Sequence, residues 1–156
     1  MSGPMAMVDA ATVAARLGWA RLIDGLAEVL AGDRVEAPER QVHRIALGDG
    51  REASVLIMPA WDPGRAIGVK VVTFFPGNDR HGLPSIHAGY LVFDGADGRP
   101  RAVLDGDALT ARRTAAASAL AARHLARPEA AELLVVGTGQ LAQPVAAAHG
   151  AVRAYR

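Results

Sequence analysis

The sequence predicts an α/β protein with two parts, an N-terminal α+β domain over residues 1–128 and the start of a doubly wound domain over residues 129–156. An amphipathic helix followed by strand-like segments predicts the first part. An unbroken apolar run over residues 133–136 that ends in Gly137 predicts the first parallel strand of the second part. With 156 residues, 51% of them hydrophobic, the chain suffices for one substantial core, so we expect the second domain to be truncated.

The composition argues against several classes of partner. The 17 Lys and Arg residues nearly balance the 16 Asp and Glu residues, so there is no basic field to attract nucleic acid or anionic lipid. The chain has no cysteine, no secretory pattern at its start and no apolar run approaching the length of a membrane span. We therefore expect a cytoplasmic protein with no nucleic-acid partner and no membrane partner.

The first half of the chain predicts a helix and about five strands of antiparallel appearance. Apolar residues recur at helical spacing over residues 9–31, with Gly18 as a candidate break and Gly32 as a normal stop. The Asp49-Gly50 pair permits the positive φ of a tight turn and therefore predicts a hairpin around it. The predicted strands, in order, cover residues 41–47, 53–58, 68–75, 86–93 and 102–104.

A helix is predicted to follow the strands, with Thr110 as its N-cap and an end before Pro128. This start places Arg112 and Arg113 in the first turn, where the helix dipole favours an acidic residue by about 0.3–1 kcal/mol. A bound carboxylate or phosphate would resolve the conflict, because arginine and free helix N–H groups can grip one anion together. The alternative is a pair of solvated arginines at a helix end.

The segment 137–142 has the G-x-G-x-x-A spacing of a dinucleotide-binding turn, placed between a predicted strand and a predicted helix over residues 140–149. Gly137 permits the tight turn, Gly139 lets the backbone approach a pyrophosphate, and Ala142 lets helix and strand pack closely. Free N–H groups at the helix start attract anionic oxygens. The alternative is an ordinary glycine-rich turn, and Pro144, about one turn inside the helix, weakens the helix prediction slightly.

Several other polar residues have two interpretations each. Lys70 interrupts an apolar strand, either as an edge lysine that discourages association between sheets or as a binding residue. Ser85 lies among turn-forming residues, where its hydroxyl either serves a ligand or satisfies local backbone. Arg40 and Arg44 flank a strand start and would ordinarily be solvated. The five histidines lack metal-ligand spacing, so we assign no metal site.

Taken in order, the motifs of this chain resemble those of the ornithine cyclodeaminase/μ-crystallin family. The resemblance runs from about residue 9 to the end. It implies a substrate-binding and dimerisation domain followed by a Rossmann domain, homodimers formed through the N-terminal sheets, and NAD or NADP as cofactor. The motifs are Pro38-Glu39-Arg40, Gly68-Val69-Lys70, Phe75-Pro76-Gly77-Asn78, Gly82-Leu83-Pro84, Asp105-Gly106, Leu109-Thr110, Arg113-Thr114-Ala115-Ala116 and Gly137-Thr138-Gly139.

The resemblance also implies roles for individual residues. Arg40, Lys70 and Arg113 would hold the carboxylate of a small amino or imino acid. Ser85 and Arg113 would help to place the cofactor. Its phosphates would lie on Gly137, Thr138, Gly139, Gln140 and Leu141. The family's catalytic aspartate would lie beyond Arg156, so no catalytic residue is assigned within this chain.

Within the family, ornithine cyclodeaminases carry a His-Pro-Lys-Asn-like segment where this chain has Phe75-Pro76-Gly77-Asn78. The chain looks more like the reductases of pyrroline-2-carboxylate and piperideine-2-carboxylate. We therefore expect NAD(P)H-dependent reduction of a cyclic imino acid to proline or pipecolate. The alternatives are ornithine cyclodeaminase and a μ-crystallin-like protein that binds NADPH and a ligand without turnover. We expect residues 1–156 alone to be inactive, to bind NAD(P)H weakly or not at all, and to self-associate.

Overall fold

The computed structural model describes residues 4–155, which fall into two compact units. The first unit contains the described residues up to Ala10 together with Arg34–Asp107. The second contains Ala11–Asp33 and the described residues from Ala108 onward. The fold is mixed α/β, as predicted, whereas the domain boundary after residue 128 stays a prediction.

The first unit is built on a six-stranded sheet with the order β1-β6-β5-β4-β3-β2. Strands β2 to β6 pair antiparallel with their neighbours in sequence, and β1 pairs parallel with β6 at one edge. The predicted hairpin and the later strands are confirmed, and β1 is an additional short strand that the sequence analysis missed. The strands are β1 Ala6–Val8, β2 Gln41–Ala46, β3 Glu52–Asp62, β4 Ala66–Phe74, β5 Ile86–Asp94 and β6 Pro100–Asp105.

The interpretation of Lys70 as an edge residue is wrong. Strand β4, which carries it, lies inside the sheet between β3 and β5. Both flanking strands hydrogen-bond to β4, and Lys70 pairs with Met58 on one side and with Tyr90 on the other. A lysine in this position cannot protect an exposed strand edge, so its presence in an apolar strand needs another explanation.

The second unit contains the main body of four helices, of which α1 and α3 begin at the last residues of the first unit. Gly18 separates α1 from α2, which confirms the predicted break. The core contains Ile23 from α2, together with side chains from α3 and α4: Ala115, Ala116, Ala119, Leu120 and Ala148. The helices are α1 Ala10–Arg16, α2 Trp19–Ala31, α3 Gly106–Leu125 and α4 Ala142–Gly150.

One polar pair lies beside this helical core. His149 on α4 is 9% exposed, and its Nε2 lies 3.0 Å from Oγ of Ser118 on α3. Burial lowers the pKa of His149. The neutral imidazole therefore belongs to the packing of α4 against α3.

Helix α3 begins at Gly106, earlier than predicted, and this overturns the argument from the helix dipole. A Cβ at residue 106 would lie 2.5 Å from the carbonyl carbon of Ala88, so this close approach of helix start and strand requires glycine. The charged residue of the first turn is Asp107, which the dipole favours. Thr110 is not the N-cap, and Arg112 and Arg113 lie beyond the first turn. The sequence analysis placed the start of the helix too late because Asp105-Gly106 has the composition of a turn.

The strand predicted over residues 133–136 is not formed. Leu134 and Val136 are 86% and 89% exposed. A parallel strand forms only beside a neighbour that completes its hydrogen bonds, and none of the described strands pairs with this segment. Helix α4 follows at Ala142, so Pro144 is its third residue, where the missing N–H would have had no partner within the helix.

Candidate functional site

The glycine-rich turn before α4 leaves its backbone and the start of the helix open. Gly137 has φ +115°, a conformation that other residues rarely adopt. A Cβ on Gly139 would meet no atom within 4 Å, and no side chain caps the start of α4. A phosphate can therefore approach both the backbone and the helix N-terminus. An open pocket of about 270 Å³ lies here, lined by Val135, Val136, Gly137, Gly139, Leu141, Ala142 and Val145.

In the first unit, the register of the sheet places Lys70 in the middle of a row of side chains on one face. Its cross-strand partners, Met58 and Tyr90, point to the same face. Arg40 immediately precedes β2, and continuing the β2–β3 register by one residue places it opposite Met58 in this row. The predicted carboxylate-binding residues Arg40 and Lys70 thus share a face of the sheet, with Arg40 exposed and Lys70 half-buried.

Ser85 lies away from that row. Its carbonyl accepts a hydrogen bond of 2.8 Å from the N–H of Phe75, which continues the β4–β5 ladder beyond the strands. Five residues separate Ser85 from Tyr90, a distance of about 17 Å along a strand. The odd spacing also turns its side chain to the opposite face. Ser85 therefore lies apart from Lys70 along the sheet, and a cofactor role for Ser85 stays a prediction.

The turn after β4 holds Gly77 at φ +91°. Nη1 of Arg51 donates a hydrogen bond of 3.0 Å to the carbonyl of Pro76 and lies 2.6 Å from the place of a Cβ on Gly77. Asn78 closes the turn by donating through Nδ2 to the carbonyl of Pro84 at 3.0 Å. Arg51 thus occupies the space in which a longer side chain at position 77 would begin. This turn therefore has glycine at position 77, where a cyclodeaminase-like segment has lysine.

The two neighbouring arginines of α3 have different roles. The guanidinium of Arg112 lies 4.0 Å from the centre of the Trp19 ring, and its Nε and Nη2 both donate to the carbonyl of Leu17, the former at 2.8 Å. Burial lowers the pKa of Arg112. Arg113 is exposed, and its side chain forms no hydrogen bond or ion pair with any residue between 4 and 155. Arg112 is therefore structural, and Arg113 is available to a ligand.

Sequence reasoning missed Arg112's packing on Trp19, because the two residues are distant in sequence. It also missed Tyr90, whose position beside Lys70 is evident only from the register of β4 and β5. The other strand arginine, Arg44, pairs with Glu52 at 3.2 Å on the surface, as expected of a solvated charge. Arg40, Lys70 and Ser85 belong to the first unit, whereas Arg113 and the glycine-rich turn belong to the second.

Comparison with known proteins places the chain in a family. The model of the ornithine cyclodeaminase/mu-crystallin family matches residues 7–155, nearly the whole chain. The chain belongs to this family. The assignment confirms the resemblance found in the sequence motifs.

Among relatives, Δ1-pyrroline-2-carboxylate reductase of Paracoccus denitrificans is 36% identical over 137 residues, which cover 88% of this chain and 42% of the relative. The structure of Thermococcus litoralis Δ1-pyrroline-2-carboxylate reductase, in complex with NADH and L-proline, matches with a TM-score of 0.81 at 29% identity, covering 96% of this chain and 46% of that one. A lysine cyclodeaminase structure matches with a TM-score of 0.76 at 34% identity, with the same coverage. The chain spans less than half the length of each protein.

The described residues form neither a membrane-spanning helix nor a metal-binding cluster. No helix between residues 4 and 155 is long and apolar enough to cross a membrane. The same part of the chain holds no group of three or more His, Cys, Asp or Glu side chains arranged to bind a metal ion.

Proposed function

We propose that the protein reduces a cyclic imino acid, pyrroline-2-carboxylate or piperideine-2-carboxylate, to proline or pipecolate with NADH or NADPH. Family membership narrows the chemistry to that of nicotinamide-dependent reductases and cyclodeaminases. The observation that favours a reductase is the 36% identity to Δ1-pyrroline-2-carboxylate reductase of Paracoccus denitrificans, and Gly77 stands where a cyclodeaminase-like segment has lysine.

In this proposal the chain binds and orients the substrate. Arg40 and Lys70 on the sheet face, together with Arg113 on α3, hold the substrate carboxylate by charge-assisted hydrogen bonds. A fixed carboxylate presents the C=N carbon in one orientation, which is the main contribution that positioning makes to the rate. The bound nicotinamide supplies the hydride that reduces this carbon.

The cofactor would be held by the glycine-rich turn. Gly137, Thr138, Gly139, Gln140 and Leu141 offer backbone N–H groups and an open approach to the pyrophosphate, and the start of α4 adds its partial positive charge. Ser85 and Arg113 complete the proposed cofactor contacts. The proton that the imine nitrogen needs would come from outside these residues.

A homodimer is part of the proposal. The sheet face opposite Lys70 carries a contiguous set of half-buried apolar side chains, which would be stabilised by a second copy of the sheet. They are Val55, Ile57, Val69, Val71 and Leu91. Sedimentation velocity of the protein should show a dimer, and a strictly monomeric protein at high concentration would contradict this part of the proposal.

The second candidate is cyclodeamination of ornithine or lysine, which the 34% identity to a lysine cyclodeaminase favours. In that reaction NAD+ is first reduced as the amino acid is oxidised to an imine, ammonia leaves on cyclisation, and the NADH is reoxidised as the cyclic imine is reduced, so the net redox change is zero. A third candidate, related to the mu-crystallin part of the family name, is binding of cofactor and ligand without turnover.

The deciding experiment uses the full-length protein. Addition of pyrroline-2-carboxylate should consume one NAD(P)H for each proline formed. Release of ammonia from ornithine or lysine without net change in the cofactor would instead identify a cyclodeaminase. Tight binding of NADPH with neither reaction would identify a binding protein. Lys70→Met is the matched variant for these assays. It keeps an unbranched side chain at position 70 and removes the charge that we assign to binding of the substrate carboxylate.

A further inference from the structure

The ring of Tyr90 lies across Gly68 on the face of the sheet that carries Lys70. Gly68 pairs with Val92 and Lys70 pairs with Tyr90, so Tyr90 reaches Gly68 diagonally. A Cβ on Gly68 would lie 2.7 Å from Cζ of Tyr90, closer than real side chains approach. The ring therefore fits because residue 68 is glycine, and in return it covers the exposed backbone of β4.

Of the Tyr90 atoms, the hydroxyl oxygen lies closest to the place of that Cβ on Gly68. The Tyr90 hydroxyl has no hydrogen-bond partner among the residues that the structure describes. Its neighbours on the same face, by register, include Met58, Ala60 and Val92, which offer no side-chain acceptor. The hydroxyl is not among the fully buried polar atoms that lack a partner, so it remains accessible to solvent or to a ligand.

Tyr90 is the cross-strand neighbour of Lys70, to which we assign the substrate carboxylate. Lys70 and Tyr90 are direct cross-strand partners, so their Cβ atoms are about 5 Å apart. We propose that the Tyr90 hydroxyl donates a hydrogen bond to the carboxylate of the cyclic imino acid next to Lys70, which makes Tyr90 a substrate-binding residue. The inference rests on the proposed function.

The protonation state of the phenol agrees with this role. Burial raises the pKa of Tyr90 above its ordinary value of 10.0, so the hydroxyl keeps its proton near neutral pH. A protonated phenol donates, whereas a phenolate would repel a carboxylate. Lys70 and Tyr90 together would then supply a charge and a directed donor to the same anion.

The kinetic test is Tyr90→Phe, which keeps the ring over Gly68 and removes the hydroxyl. A hydrogen bond made equally in the ground state and the transition state should raise KM about 10- to 100-fold and leave kcat nearly unchanged. The melting temperature should not fall, since the lost hydroxyl has no hydrogen-bond partner among residues 4–155. Tyr155→Phe is the matched control, because Tyr155 is the chain's other tyrosine and should not affect KM. An unchanged KM in Tyr90→Phe, or a fall in melting temperature with losses in both constants, would overturn the inference.

A binding measurement separates this inference from the proposed reaction. In ring-labelled protein, the signal that disappears in Tyr90→Phe belongs to Tyr90, and the signal that disappears in Tyr155→Phe belongs to Tyr155. L-proline should shift the Tyr90 signal and leave that of Tyr155 in place. A shift without any reduction of pyrroline-2-carboxylate would overturn the reaction and keep the site. Reduction without a shift, and with a normal Tyr90→Phe enzyme, would keep the reaction and overturn the role of Tyr90.

Discussion

The guanidinium of Arg112 stacks on the indole of Trp19, 4.0 Å from the ring centre, and donates to the carbonyl of Leu17. Leu17 follows α1 and Trp19 begins α2, so this one side chain joins α3 to the break between the first two helices. The neighbouring Arg113 has no such contact. We therefore expect Arg112 to affect the stability of the protein and Arg113 to affect its activity.

Arg112→Ala should destabilise the protein by about 1–3 kcal/mol, because it removes a cation–π contact and hydrogen bonds to a helix-end carbonyl. Arg112→Lys should recover part of the loss, since an ammonium can stack on the indole but lacks the planar set of donors. Urea unfolding measures both. Arg113→Ala is the control and should change stability by less than about 0.5 kcal/mol. Equal effects at the two positions would contradict the division of roles.

Arg113 should instead control activity. If it grips the substrate carboxylate with two parallel donors, Arg113→Lys keeps the charge and loses the geometry. The expected cost is about 2–5 kcal/mol of transition-state stabilisation, or roughly 30-fold to several thousand-fold in kcat/KM. Steady-state reduction of pyrroline-2-carboxylate and thermal unfolding should be measured on the same preparation. Near-normal turnover in a stably folded Arg113→Ala protein would remove Arg113 from the carboxylate site.

Gly77→Ala should destabilise the turn between β4 and β5. The new residue would be held at φ +91° and its Cβ would meet Nη1 of Arg51, so we expect a loss of about 1–3 kcal/mol. Gly48→Ala is the matched control, because a Cβ there meets no atom within 4 Å. In a double-mutant cycle, Arg51→Ala should reduce the cost of Gly77→Ala by removing the steric part and leaving the backbone strain. Strict additivity would show that Arg51 does not fill this space.

The pair of His149 and Ser118 predicts a pH dependence of stability. Since burial lowers the pKa of His149 below its ordinary value of 6.5, the unfolded chain binds a proton more readily than the folded one. The stabilising contribution of the neutral ring is therefore complete above pH 6.5 and is lost as the pH falls through the lowered pKa of the folded protein. His149→Gln, which keeps a side-chain amide within reach of Ser118, should lack this part of the dependence.

Urea unfolding of both proteins at about pH 7.5 and about pH 5.5 tests this directly. The other four histidines are present in both proteins, so their contributions cancel in the comparison. The prediction fails when both proteins lose the same stability between the two pH values.

Local patterns in the sequence predicted most of the sheet and the first helices. The Asp49-Gly50 turn, the alternation along β4 and the break at Gly18 each depend on residues close in sequence, and the structure confirms them. The predicted start of α3 was wrong because Gly106 packs closely against Ala88, and the sequence does not show contacts between distant residues. The prediction of a strand over residues 133–136 was wrong because an apolar run does not show whether a neighbouring strand is present to pair with it.

The sequence predicted which residues belong to the candidate site. It did not predict how they are arranged in space. The family motifs named Lys70, but its place in the middle of the sheet and its pairing with Tyr90 follow from register. Likewise, the adjacent arginines could be named from the sequence, whereas the stacking partner of Arg112 lies far away in the chain. Register and long-range packing are therefore the information that one sequence did not supply.

The parallel pairing of β1 with β6 has a consequence for the order of folding. Strands β2 to β6 form a meander in which every pair is close in sequence, whereas Ala6 must reach Ala102 across nearly the whole first unit. Closing so long a loop costs more chain entropy than closing any hairpin of the meander. We therefore expect the meander to form first and β1 to dock last, so that the free edge of β6 is open to other chains in the meantime. In pulse-labelling hydrogen exchange, the amides of β6 that face β1 should gain protection after those that face β5.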